Sequence, residues 1–185
     1  ETLLSRFIGD EYVESQLDFV EEQYDYFGKY PSIFDREFMI NSVVNDYLEL
    51  LEKNNASKRE IKAVYKKYWK CDSIRMDCVY TCINNKEYDK ALDYIDECID
   101  FEYENQDRMK YNIILKKDIY KKQGNIKAYR EELKNLILFF NDTNLEDYVE
   151  LRSLFSDKEW IKERDSIIEQ LTPGCFLCEI LETEQ

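Results

Sequence analysis

The sequence predicts an all-α protein, antiparallel helical hairpins stacked as an α-solenoid of about ten helices, and three observations carry that expectation. One helix pattern is written twice: KEYDKALDYIDECIDF (86–101) and QGNIKAYREELKNLILFF (123–140) align Tyr88 with Ile126 and Ala91 with Tyr129, about 38 residues apart, a period typical of stacked hairpins. Only four Gly and two Pro stand in 185 residues that are 44% hydrophobic and 36% charged, which favours long helices joined by short polar turns over sheets. Apolar residues recur at spacings of three and four along most of the chain. One continuous repeat domain over 1–185 is expected, with an N-terminal helical pair (about 10–54), a repeat-like core (about 57–141) and C-terminal helices (144–185).

The first helix is expected from Asp10 to about Phe27. Val13, Leu17, Phe19, Val20, Tyr24 and Phe27 give it an apolar face, Glu11, Glu14, Asp18, Glu21, Glu22 and Asp25 lie outside, and Gly28 closes it. Pro31 forces Tyr30 out of the α region, and Asp35 caps a second helix that runs to about Lys53 with Phe38, Met39, Val43, Val44, Tyr47, Leu48 and Leu51. Ser57 followed by Glu60 spells a capping box, so a third helix begins near Lys58 and presents Ile61, Val64, Tyr65, Tyr68 and Trp69. A break at Cys71 and Asp72 follows.

The fourth helix (about 73–84) pairs with the fifth (86–101), whose inward residues are Tyr88, Ala91, Leu92, Ile95, Cys98 and Ile99. The sixth (about 107–122) carries Met109, Ile113 and Tyr120 on one side and Tyr111, Ile114, Leu115 and Ile119 around most of the rest. A helix apolar on two sides belongs between neighbours. Gly124 and Asn125 turn the chain into a seventh helix with the stripe Ile126, Tyr129, Leu133, Leu136, Ile137 and Phe140. Thr143 with Glu146 and Ser156 with Glu159 spell two more capping boxes, for helices at 144–155 and 157–171, and Thr172 with Pro173 reads as N-cap and N1 of a last helix at about 173–183. No hairpin of this size buries enough apolar surface to offset its own ordering entropy, so the hairpins depend on one another.

Forty acidic against 26 basic residues leave a formal net charge of −14, which repels phosphate backbones and anionic lipid surfaces. The densest basic stretch, KREIKAVYKKYWK (58–70), sets Lys62, Lys66 and Lys70 at helical spacing and reads as a solvated helix face. Neither direct nucleic-acid binding nor membrane binding is expected of the chain. Cys71, Cys78, Cys82, Cys98, Cys175 and Cys178 sit mostly inside apolar helical patterns, which suits reduced thiols in a cytoplasm. The sequons at Asn55 and Asn141 are then chance matches.

The chain has no histidine, which removes the usual general base, the Ser/His and Cys/His nucleophile pairs and the commonest transition-metal ligand. Carboxylates at helical spacing, such as Glu14 with Asp18 and Asp93 with Glu97, are unspecific among 40 acids. Asp100, Glu102 and Glu104 imitate the start of a calcium loop, yet Asn105 and Tyr111 stand where the loop needs Gly and Glu. No Gly-rich phosphate loop exists. Cys175 and Cys178 form a CxxC that, with Cys78 and Cys82, offers four thiolates, but both pairs fit helical core spacing without a knuckle turn. No metal and no cofactor is therefore expected, and no catalytic residue is assigned. The fifteen tyrosines, Tyr65, Tyr68, Tyr80, Tyr88, Tyr94, Tyr111, Tyr120 and Tyr129 among them, suit both inter-helix packing and an interface.

The helix entries EYDKAL (87–92) and QGNIKAYR (123–130), with the helix between them, resemble tetratricopeptide-like repeats over about 80–141, with Asn84 and Lys86 where that pattern has small residues and a Gly turn. The stretch LEDYVELRSLFSDKEWIKERDSIIEQL (145–171), and more loosely EEQYDYFG (21–28), resembles the helical region that follows the SWIM zinc finger in Firmicute-type bacterial proteins. That resemblance implies an interaction arm, a fragment of a longer cytoplasmic protein whose finger lies upstream.

The function expected is thus a non-catalytic helical-repeat scaffold that binds a protein or peptide partner. The alternative is a peptide-sensing module of a transcriptional regulator, and an enzyme using carboxylates is a more distant third. Tetratricopeptide-like stacking implies that the sixth helix lines the binding face, where Arg108, Asn112 and Lys116 stand at successive turns as the peptide-binding candidates.

Overall fold

The computed structural model describes residues 13–30, 36–101, 105–140 and 145–184, and among them the chain forms ten α-helices and no strand. These are α1 (Val13–Lys29), α2 (Arg36–Lys53), α3 (Lys58–Lys67), α4 (Asp72–Asn84), α5 (Tyr88–Phe101), α6 (Gln106–Gln123), α7 (Ile126–Phe139), α8 (Leu145–Ser153), α9 (Asp157–Gln170) and α10 (Cys175–Thr183). They fall into two compact units, Glu1–Cys78 and Val79–Gln185, with the boundary inside α4. The expected caps Asp35 and Thr143 lie outside the described residues, as does Asp10.

In the first unit α1 packs along α2, and α3 packs on α2. Its core gathers Val44, Leu51, Val64, Tyr68, Cys71 and Ile74. Tyr68 is nearly sealed, with the rings of Tyr24 and Tyr47 edge-on to it at 4.6 and 5.9 Å. Lys67 ties α3 to Glu21 on α1 at 2.6 Å. The first helix does not end at Gly28 as the sequence suggests but runs to Lys29. The reason is on the neighbouring helix: Arg36 donates through Nε to the Phe27 carbonyl at 2.8 Å and through Nη2 to the Gly28 carbonyl at 3.4 Å, satisfying acceptors the helix end leaves open. Phe38 and Met39, among the apolar residues α2 carries, are exposed.

A buried arginine organises the turn from α3 to α4. Arg75 is 2% exposed, and its Nη1 donates to the carbonyls of Trp69 at 3.2 Å and Lys70 at 2.8 Å while Nη2 faces Asp72 at 3.7 Å. Both carbonyls belong to the turn that follows α3, so the guanidinium holds that turn against the start of α4.

In the second unit α6 packs between α5 and α7, α8 and α9 pack on α7, and α10 packs on α8. The written repeat is a structural one. α5 and α7 start at 88 and 126 and end at 101 and 139, and the buried Ala91, Ile95 and Cys98 of the first correspond to Tyr129, Leu133 and Leu136 of the second at the same 38-residue offset. The turns before them match too. At the end of α4, Glu87 N–H reaches the Cys82 carbonyl and Lys86 N–H the Ile83 carbonyl; at the end of α6, Asn125 N–H reaches Tyr120 and Gly124 N–H reaches Lys121. Both are Schellman motifs. α5 accordingly starts at Tyr88, two residues later than expected, because 86 and 87 belong to the turn.

The main core joins Tyr129, Leu133 and Ile137 of α7 with Tyr148 and Leu151 of α8, Trp160 and Ile167 of α9, and Ile180 of α10. The capping boxes at Ser57 and Ser156 are both formed, each serine N–H donating to the glutamate three residues on, at 2.7 and 3.1 Å. The Thr172 and Pro173 start is not. α10 begins at Cys175 after Gly174, because Leu171 caps α9 in an extended conformation and the chain uses 172–174 to carry Phe176 and Ile180 onto the core.

Candidate functional site

Asn105 caps α6 by accepting the Arg108 N–H at 3.1 Å. The 18-residue helix that follows has a solvent side as well as two packed ones. Ile113 and Ile119 are buried, and Tyr111, Asp118 and Lys122, at spacings of seven and four, are exposed. On α4 the exposed Asp77, Tyr80, Thr81 and Asn84 likewise mark the solvent side. Tyr80 and Tyr111, 40% and 44% exposed, meet hydroxyl to hydroxyl across these two helices.

The three sequence candidates share one line of α6 and have different surroundings. Arg108 is half-buried, one turn from Tyr111. Asn112 is only 2% exposed, and its Oδ1 accepts no hydrogen bond. Lys116 bridges the neighbouring helices, Nζ lying 2.8 Å from Asp96 on α5 and 3.3 Å from Glu132 on α7. Glu132 is itself buried and accepts from Asn135 Nδ2 at 3.0 Å. Burial pushes the Lys116 ammonium down, but the hydrogen bond to Asp96 and the charges of Glu132 and Asp96 outweigh it, so its pKa stands above the ordinary lysine value. Lys116 thus lies within an inter-helix ion network, Asn112 is closed off from solvent, and Arg108 is the candidate nearest the surface.

The sequence reading placed Tyr111 among the apolar surroundings of α6; the structure puts it on the solvent side. The signal was present in Asp118 and Lys122, which mark that side at seven and eleven residues on. The two half-exposed tyrosines, joined at their hydroxyls, present apolar ring area with polar tips to solvent. Among the described residues no group of three or more His, Cys, Asp or Glu is placed to hold a metal ion, and no helix is long and apolar enough to cross a membrane.

Fold and surface together define an all-α protein of packed helical hairpins. Compared with known proteins, the chain matches no family model, no curated protein and no solved structure.

Proposed function

We propose that the chain is a non-catalytic helical-repeat scaffold, tetratricopeptide-like in its stacking, that binds a protein or peptide partner on the surface around Tyr80 and Tyr111. The observation that carries this reading is the exposed tyrosine pair itself. Tyrosine dominates binding energy at interfaces because it brings area, rigidity and a hydrogen-bonding tip. The 38-residue recurrence of helix bounds, buried positions and turns in α5 and α7 supports repeat stacking as the frame. Arg108, half-buried, lies one turn from Tyr111 on the same helix.

The test is a peptide display library selected on the whole chain, with the selected peptides then measured against Tyr80→Ser/Tyr111→Ser. The circular dichroism spectrum of the variant checks that it keeps its fold. Affinity falls at least tenfold if the pair is the site. Peptides that bind wild type and variant alike place binding elsewhere.

A further inference from the structure

Four donors from two helices converge on one carboxylate in the second unit. Glu184 Oε1 accepts from Tyr148 Oη at 3.3 Å, Arg152 Nη1 at 3.2 Å and Trp160 Nε1 at 3.2 Å. Its Oε2 accepts from Trp160 Nε1 at 3.3 Å and faces Arg164 Nη1 at 3.6 Å. Tyr148 and Arg152 come from α8, Trp160 and Arg164 from α9.

Two of the donors are rigid. Tyr148 is fully buried and Trp160 is 4% exposed, both in the main core, their rings edge to face at 5.3 Å. The indole N–H and the phenol therefore point at one spot, and the half-exposed Arg152 and Arg164 stand at its rim, Arg164 also donating through Nε and Nη2 to Asp165 at 2.9 and 2.7 Å. The acceptor, its side chain 10% exposed, stands at a helix end. Glu184 is the C-cap of α10, beyond the last helical residue, while the helix itself is anchored a turn earlier by Ile180. Two guanidiniums, an indole and a phenol form an oxyanion-type cradle, and its present occupant comes from an element end.

The geometry points to a carboxylate-recognition site at Tyr148, Arg152, Trp160 and Arg164, which Glu184 fills in cis and from which an acidic side chain of a partner polypeptide displaces it. Displacement needs a local opening of the last turn of α10. The net charge of −14 repels such a partner at long range, but that field is screened within about 8 Å at physiological salt, leaving the two arginines to decide at contact. The cis occupant weakens the apparent affinity in proportion to the time it fills the cradle.

The chain has two tryptophans, Trp69 and Trp160, so a Trp69→Phe background makes Trp160 fluorescence a direct reporter. In it, Glu184→Ala and the unsubstituted chain are titrated with a glutamate-containing heptapeptide, its glutamine counterpart and sodium acetate. Glu184→Ala is expected to bind the glutamate peptide at least tenfold more tightly than the chain with Glu184, and the glutamine peptide not at all. Arg152→Ala in the Glu184→Ala chain removes the binding. Acetate matching the peptide at equal concentration overturns the polypeptide source and leaves a site for free carboxylates. A Glu184→Ala chain with a native circular dichroism spectrum and no carboxylate-dependent signal overturns the site and makes Glu184 a structural latch. Should Glu184→Ala fail to fold, Glu184→Gln takes its place: it keeps the shape, holds the cradle more weakly, and must show the same ordering.

Discussion

Lys86 and Gly124 occupy the same left-handed backbone position in successive turns of the second unit, with φ of 60° and 69°. Glycine adopts that conformation freely, whereas a side chain there crowds the backbone. Lys86→Gly is therefore expected to stabilise the chain by about 0.5–1 kcal/mol, and Gly124→Ala to destabilise it by about 1 kcal/mol even though a Cβ at 124 meets nothing within 4 Å. Opposite shifts in urea midpoint at unchanged slope check both. A melting temperature that falls with Lys86→Gly would show that the lysine side chain makes contacts worth more than the backbone strain.

Arg75 donates to the carbonyls of Trp69 and Lys70 from a position 2% exposed. Replacing it with Met keeps bulk and removes the donors, leaving both carbonyls and Asp72 to find other partners. A loss of about 2–4 kcal/mol is expected, since breaking a buried charged hydrogen-bond set costs more than one neutral bond. In a Trp160→Phe background the Trp69 fluorescence reads this in the first unit directly. A loss below about 0.5 kcal/mol would make the arginine a passenger of the turn.

What the sequence revealed was whatever is decided locally. Ser57 with Glu60 and Ser156 with Glu159 close their boxes within four residues, and the centres of the α5 and α7 stripes follow from spacing, although Ile126, expected in the α7 stripe, is exposed at the helix start. Positions set by distant packing were hidden. Lys86 is not a residue type that favours a left-handed turn, so only its place in the repeat-like pattern pointed to one, and the polar Asn112 reads as solvent-facing although α6 lies packed between α5 and α7. The Glu184 cradle was invisible, because its donors come from α8 and α9 and its acceptor from the end of α10. Thr172 and Pro173 show the opposite failure, a strong local start signal overridden by where Phe176 and Ile180 must dock.

Cys71 and the CxxC pair should differ sharply as thiols. Burial pushes the Cys71 thiol up to about 11, whereas Cys175 and Cys178 are exposed. At pH 8 a disulfide reagent is expected to modify Cys175 and Cys178 first and leave Cys71, Cys82 and Cys98 protected until unfolding. The sign for stability follows from linkage. A folded-state pKa above the unfolded one stabilises the fold fully below the unfolded value, near 8.5, and that contribution is lost as pH rises toward 11. The wild-type stability should therefore fall relative to Cys71→Ala between about pH 8.5 and 11, by about 1 kcal/mol per pH unit. Parallel curves would mean that Cys71 ionises in the fold as it does in the open chain.

Lys116 separates a structural ion network from a binding site by magnitude. Its partner Glu132 is buried, its partner Asp96 is 60% exposed, and a charge stripped of its counter-ion costs far more inside than at the surface. Lys116→Met should therefore cost about 1–3 kcal/mol, because Glu132 is left with Asn135 alone among these partners. Asp96→Asn should cost less than about 0.5 kcal/mol. Adding Glu132→Gln to Lys116→Met removes the orphaned charge and recovers most of the loss, so the double-mutant cycle reads the pair energy itself. If both single variants leave the urea midpoint unchanged, the network contributes nothing to the fold, and Lys116 returns as a side chain held for a ligand.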